Sequence, residues 1–248
     1  MMWRKVAGFS LTELLVSFFI STLLILILTQ HLLAMSRQHH HVHAALDQAM
    51  ELQWVLDVMR DKVHHAGFTP CRRLDHLITI DTREHPESLL PIEIDQDDSS
   101  KLYLRKMNEA VFTQASIKSN AVLFINKLDK FVSLNPDRPV LIADCTHAEV
   151  HDVASIEPTR GGRLVTLKTP LVFDYEPEVY VGEWMSESFY FKKALFYKQH
   201  RADKLTSQIQ QIQFELKHHA DTAYPILGMQ FVLHDGRSES FEARVRMP

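Results

Sequence analysis

The sequence is poor in cysteine: Cys71 and Cys145 are the only two in 248 residues. That is too few for a disulfide scaffold and too few for a cysteine zinc site. Surplus base is missing as well, with 27 Lys and Arg against 31 Asp and Glu and a formal charge of −4. Such a balance leaves no excess cation to neutralise a phosphate backbone, so no direct nucleic-acid binding is expected. Low-complexity stretches are absent. No nucleophile elbow or oxyanion loop is visible, and Asp95-Gln96-Asp97-Asp98 lacks the glycine and terminal Glu of a calcium-binding EF-hand loop. What is present, 46% hydrophobic and 9% aromatic residues, suffices for one substantial domain with an appendage.

The appendage begins at the N-terminus. Residues 1–8 read MMWRKVAG and are followed by FSLTELLVSFFISTLLILILTQ, a basic stub meeting a long apolar run. From Phe9 through Ser36 the one ordinarily charged side chain is Glu13, and Leu14 to Leu28 is broken only by Ser17, Ser21 and Thr22. At about 1.5 Å per residue, some 20 residues cross roughly 30 Å of hydrocarbon, so the run is long enough to span a membrane. Arg4 and Lys5 set the stub on the cytoplasmic side and everything after the helix outside.

Other readings of the run fit less well. A secretory signal ends in small residues, and TQHLLAMSR at 29–37 offers no clean A-x-A site. A plain anchor has no use for a carboxylate five residues into the apolar segment, which costs at least about 2.5–3.5 kcal/mol on insertion scales. The buried helix of a soluble protein carries a polar stripe, which this run lacks.

Beyond the span, Ala45, Leu46, Ala49, Leu52, Leu56, Met59 and Val63 recur at three- and four-residue spacing. This predicts an amphipathic helix over 36–66, stopped by Gly67 and Pro70. A helix from Phe9 to Ala66 has about 58 residues and is roughly 87 Å long. The remainder reads as strands: 77–80, 101–104, 122–125, 140–142, 163–168, 179–181, 188–192, 194–197, 209–217, 229–234 and 240–246. His234-Asp235-Gly236-Arg237 is a hairpin turn between the last two. The predicted class is α+β, an antiparallel sheet with a helix on one face.

Gly8-Phe9-Ser10-Leu11-Thr12-Glu13-Leu14-Leu15 resembles the leader junction of type IV prepilins and type II secretion pseudopilins. The resemblance implies a pilin-like fold and a prepilin leader, residues 1–8, cut between Gly8 and Phe9 by a prepilin peptidase. The new Phe9 amine is then N-methylated. Residues 9–35 become a transmembrane and later filament-core helix, 36–66 an amphipathic helix on the globular domain, and 67–248 an extracytoplasmic β-rich head. Glu13 falls at the fifth mature position, the family's acidic assembly residue: in a water-free bundle a carboxylate needs a cation, and a neighbouring subunit's amine supplies it. Gly8 leaves the scissile bond open to the protease, where a side chain would crowd it.

Ala49 to Cys71, AMELQWVLDVMRDKVHHAGFTPC, is similar to the PilW family of minor pilins, although His64 and His65 displace the family's arginine-like position before Ala66-Gly67-Phe68. Segments around Cys145, Val179–Glu183 and Ala194–Tyr197 share that similarity. The implied function is a minor pilin that initiates or caps a type IV pilus, with adhesion, twitching or DNA uptake downstream. The J-type pseudopilin of type II secretion is the related alternative, and an anchored extracytoplasmic enzyme a more distant one. No catalytic residue and no cofactor are expected. The implied partners are the prepilin peptidase, other minor pilins and a major pilin, an inner-membrane assembly platform, and the lipid bilayer before assembly. The implied location is the inner membrane, single-pass with a periplasmic head, then a pilus or pseudopilus at the cell surface.

With both cysteines outside the cytoplasm, a Cys71–Cys145 disulfide is expected. The alternative, a Cys145 nucleophile served by His147, has poor geometry for a base so near in sequence. Histidines cluster at His39-His40-His41-x-His43, His64-His65 and His218-His219. On a helix His39 and His43 lie one turn apart and could chelate a divalent metal, but a polar juxtamembrane collar explains them equally well.

Overall fold

A computed structural model of the chain describes residues 11–126, 134–217 and 225–244. The chain divides into two compact units, Met1–Gln53 and Trp54–Pro248.

The first unit is helical. Helix α1 runs Leu11–His64, and its stretch Leu11–His39 is long and apolar enough to cross a membrane. Leu14, Leu15, Val16 and Leu24, which point in four different directions around the helix, all stand exposed, as a lipid or protein-bundle environment requires. Four hydroxyl side chains in this stretch bond their own helix. Ser17 donates to the Leu14 carbonyl (2.9 Å), Ser21 to Ser17 (2.8 Å), Thr22 to Phe19 (2.8 Å) and Thr29 to Ile25 (2.9 Å). Each hydroxyl thus carries its hydrogen bond with it into a medium that offers none. Ala45, Leu46 and Ala49, expected on a packing face, are exposed.

In the second unit the last turns of α1 bury Val55, Met59 and Val63, spaced by four, while Asp57 and Arg60 face solvent. Val55 was not on the expected stripe; an apolar face of period 3.6 drifts, and here it takes in 55 rather than 56. The helix ends at His64, two residues before the expected Ala66. The next residues turn, and Gly67 adopts φ +77°, a conformation that favours glycine. Its N–H donates to Arg105 O at 2.8 Å rather than back to the helix, so the chain passes directly onto the sheet.

Fourteen strands follow among the described residues: β1 Ile78–Asp81, β2 Ile92–Ile94, β3 Lys101–Ser119, β4 Val122–Asn126, β5 Val140–Ala143, β6 His147–His151 and β7 Val153–Pro158; then β8 Gly162–Leu167, β9 Val179–Phe191, β10 Leu195–Lys198, β11 Ala202–Thr206, β12 Ile209–Lys217, β13 Ile226–Leu233 and β14 Ser238–Arg244. Eleven form one sheet with central order β1-β6-β5-β9-β3-β4-β8-β7; β2 pairs with β3, and β10 joins β9 to β11. A second sheet is β12-β13-β14.

The class is α+β, with a long apolar helix and a mostly antiparallel β domain, consistent with a pilin-like fold. One pair departs from the antiparallel expectation: β1 runs parallel to β6. Strands β2, β6, β7 and β11 were not expected. Short strands that carry charge, such as Ala202–Thr206 with Asp203 and Lys204, lack an apolar alternation to announce them. Segments 179–181 and 188–192, read as separate strands, are the two ends of β9. Gly182 and the charged Glu183 and Glu187 hide its continuity. Residues 245 and 246 of the last expected strand lie outside the described residues.

Strand β9 organises the domain. One edge pairs with β3, the other with β5 and β10. The β3 register slips between Met107 and Phe112, and Gly182 lies opposite the slip. A Cβ there would come within 2.6 Å of Met107 Cγ and 2.7 Å of Phe112 Cβ, so only glycine fits. Strand β5, Val-Leu-Ile-Ala, is buried at every position. Val140 and Ile142 join the core of Leu123, Val165 and Val181; Leu141 and Ala143 join that of Leu74, Met107 and Trp184. A continuous apolar run is what a strand covered on both faces requires. The small sheet buries Ile212, Phe214, Met229 and Phe231, with a bulge between Ile209 and Gln211 and a turn centred on Gly236 (φ +83°) joining β13 to β14.

Candidate functional site

Two features carry chemistry: the N-terminal segment and the region where the helix end meets the sheet. In the first, Gly8 and Phe9 lie outside the described residues. Glu13 stands in the first turn of α1, where the helix dipole favours a negative charge. It is the only Asp, Glu, Lys or Arg from Leu11 to Ser36. A carboxylate so placed is a fixed point of charge in an apolar cylinder, able to recognise one cationic partner and costly to leave without one.

At the helix end, Cys71 and Cys145 form a disulfide with Cα atoms 5.2 Å apart. It ties the loop after Gly67 to the turn between β5 and β6. Arg73 braces the same loop. It is buried, its Nη1 donates to Ala66 O at 3.1 Å, and its Nε and Nη2 each meet Asp75 at 3.0 Å. The guanidinium thus closes the turn just past the helix end, satisfying a carbonyl that the helix itself no longer uses. Helix and sheet are joined a second time by Lys62, which donates to the buried Glu187 of β9 at 3.1 Å, and by Arg60, 4.6 Å above the Phe241 ring of β14.

The β5–β6 turn is built around Asp144. Its carboxylate accepts the N–H groups of Thr146 (2.6 Å) and His147 (2.5 Å), the Thr146 hydroxyl (2.9 Å) and the Glu176 N–H (3.2 Å). Burial acts to raise its pKa, and these four donors outweigh it, holding the carboxyl below its ordinary value. With Cys145 sulfur bonded to Cys71, it offers no thiolate, and the His147 ring stacks on Phe173 with centroids 4.6 Å apart. The Cys145–His147 pairing is therefore not assembled as a nucleophile and base. Asp95 and Asp98 are engaged in their own turn, accepting the N–H groups of Asp97 and Ser100. His39 and His43 do meet, with their Nε2 atoms 3.1 Å apart. Among the described residues, no group of three or more His, Cys, Asp or Glu side chains could hold a metal.

One cluster escaped sequence reading. Glu149 and His151 are fully buried on β6, with His151 Nε2 2.7 Å from Glu149 Oε2. The same carboxylate accepts the N–H groups of Val172 (3.0 Å) and Phe173 (2.6 Å). His151 Nδ1 lies 2.9 Å from the hydroxyls of both Thr82 and Thr169. The alternation in His147-Ala-Glu149-Val-His151 was the available signal, since it puts three polar side chains on one face of a strand. The cluster fastens the 169–173 segment over the sheet.

Burial tends to raise the Glu149 pKa, but the His151 hydrogen bond, the two N–H donors and the imidazole's charge lower it below 4.5 on balance. A depressed carboxyl pKa contributes stability that is present above the unfolded value and lost as pH falls through the folded one. Stability is therefore expected to decline below pH 4.5. Glu149→Gln, which removes one acceptor from a set of buried donors, should cost about 1–3 kcal/mol at neutral pH and flatten part of that acid limb. Denaturant melts across pH 3–7 would check both; identical acid limbs would refute the assignment.

Residues 3–29 match the prokaryotic N-terminal methylation motif. No curated protein and no solved structure matches the chain. The motif, together with the apolar helix, supports a type IV prepilin-like protein of the pilin and pseudopilin class. It implies processing by a prepilin peptidase and pilin partners in general, and fits a membrane-anchored, surface-assembled subunit.

Proposed function

We propose that this chain is a minor pilin that initiates or caps assembly of a type IV pilus. The observation that carries the reading is the methylation motif at 3–29 leading straight into an apolar helix whose one early acid is Glu13. The peptidase cleaves after Gly8 and methylates Phe9. Arg4 and Lys5 keep the leader cytoplasmic, so the head faces the periplasm, where the Cys71–Cys145 disulfide is stable. Assembly moves residues 9–35 from lipid into the filament core, and Glu13 exchanges its membrane surroundings for the amine of a neighbouring subunit. The helix-end sequence Ala66-Gly67-Phe68-Thr69-Pro70-Cys71 supports a PilW-like rather than a major pilin, as does the size of the head, with 14 strands among the described residues. A bulky head fits best where few neighbours crowd it, at a filament end. The role is structural, with no catalytic step.

Glu13→Ala should leave leader removal and membrane insertion intact and reduce surface pili by about tenfold or more, because losing a buried charge partner costs several kcal/mol and each 1.4 kcal/mol is a factor of ten. Counting pili in a deletion strain complemented with the variant checks this. An unchanged count would overturn the assembly role. Intact pili with a defect in protein secretion would assign the chain to a pseudopilus instead.

A further inference from the structure

His39 and His43 are exposed on one face of α1, one turn apart, with ring centroids 4.2 Å and Nε2 atoms 3.1 Å from each other. Two nitrogens converging at that distance have two ways to coexist. One keeps its proton and donates to the other, or a cation takes both lone pairs. An ion placed at the usual 2.0–2.1 Å from each would see them at an angle of about 100°, between the octahedral and tetrahedral values. The separation therefore needs no rearrangement of the helix, and the helix itself holds the second ligand in place once the first is bound.

We propose that His39 and His43 form a two-imidazole site for a divalent transition-metal ion of the zinc, nickel and copper class. Imidazole nitrogen selects these ions over magnesium and calcium, which prefer oxygen. Among the described residues no third His, Cys, Asp or Glu joins the pair. The site falls where the apolar stretch ends, at His39. A bound ion there would clamp the first helical turn beyond the span. The inference is independent of the filament reading, since it needs only the helix.

The test uses the full chain, without a polyhistidine tag, in detergent micelles, titrated with Zn2+ by calorimetry. H39N/H43N should weaken Zn2+ binding by about tenfold or more, whereas H40N/H41N, which changes neighbouring histidines only, should leave it within about twofold. Mg2+ should give no binding. Helix content by circular dichroism must match wild type in both variants. As a second readout, amide exchange across residues 39–43 should slow with Zn2+ in the wild type and not in H39N/H43N. Equal Zn2+ affinity in wild type and H39N/H43N would overturn the site. An equal loss in both double variants would overturn it too, since the whole histidine cluster would then bind diffusely.

Discussion

Replacing Gly8 with arginine should leave the leader attached. In the proposed cleavage after Gly8, glycine would present the peptidase with a scissile bond flanked by backbone alone, and a long side chain there would occupy the space the protease must enter. Arginine adds a second obstacle, because a guanidinium resists being drawn toward the hydrocarbon boundary. Insertion is unaffected: Arg4 and Lys5 remain on the same flank, and the span is unchanged. The intact mass of membrane-extracted protein reads the outcome directly. The wild type should start at a methylated Phe9, and Gly8→Arg should retain residues 1–8 without the methyl group. A mature, methylated terminus in the variant would sink the cleavage claim. On the proposed assembly reading the consequence extends to pilus number, since without a free amine at Phe9 the subunit would have no cation to offer a neighbour's Glu13.

Cys71→Ser should be the most damaging single change in the head. The bond joins residues 74 apart in sequence. Closing a loop of that length restricts the unfolded chain by about 4–5 kcal/mol in the entropy model, and losses of roughly 2–5 kcal/mol are usual. For a domain of this size each kcal/mol moves the melting temperature by about 2–4 °C, so a drop of roughly 5–15 °C is expected. The contacts that remain, Gly67 N–H on the Arg105 carbonyl of β3 and Lys62 on Glu187 of β9, keep the helix end on the sheet, so the fold should weaken rather than vanish. Thermal melts of Cys71→Ser, Cys71→Ser/Cys145→Ser and reduced wild type should coincide. If the double variant melts with the oxidised wild type, the bond contributes nothing and the prediction is wrong.

The N-terminal segment was legible almost entirely from sequence, because its constraints are local. A run of apolar residues is long enough to cross a membrane by its own length, a lone acid is conspicuous by its surroundings, and the methylation motif at 3–29 is contiguous. Strands β5, β8, β12 and β13 were legible for a similar reason, as each carries enough apolar residues to declare a buried face. Strands β6 and β11 were not. In β6 the side chains Glu149 and His151 look like surface residues and are instead satisfied in the interior by groups from residues 82, 169, 172 and 173. That pairing spans up to 87 residues between Thr82 and Thr169, a distance over which no local pattern carries information.

The same division runs through the chemistry. Sequence alone determined that the chain carries a membrane-length helix, an N-terminal methylation motif over residues 3–29 and one early acid at Glu13, because each is a property of neighbouring residues. It also pointed to the meeting of Cys71 with Cys145, through compartment rather than geometry. Only the tertiary structure decided that β1 runs parallel to β6, that one long strand, β9, ties β3, β5 and β10 together, that Gly67 leaves the helix to pair with Arg105, and that Glu149 and His151 share a buried site. Those outcomes depend on which distant segments lie side by side, and that is settled by how all the apolar faces are buried at once.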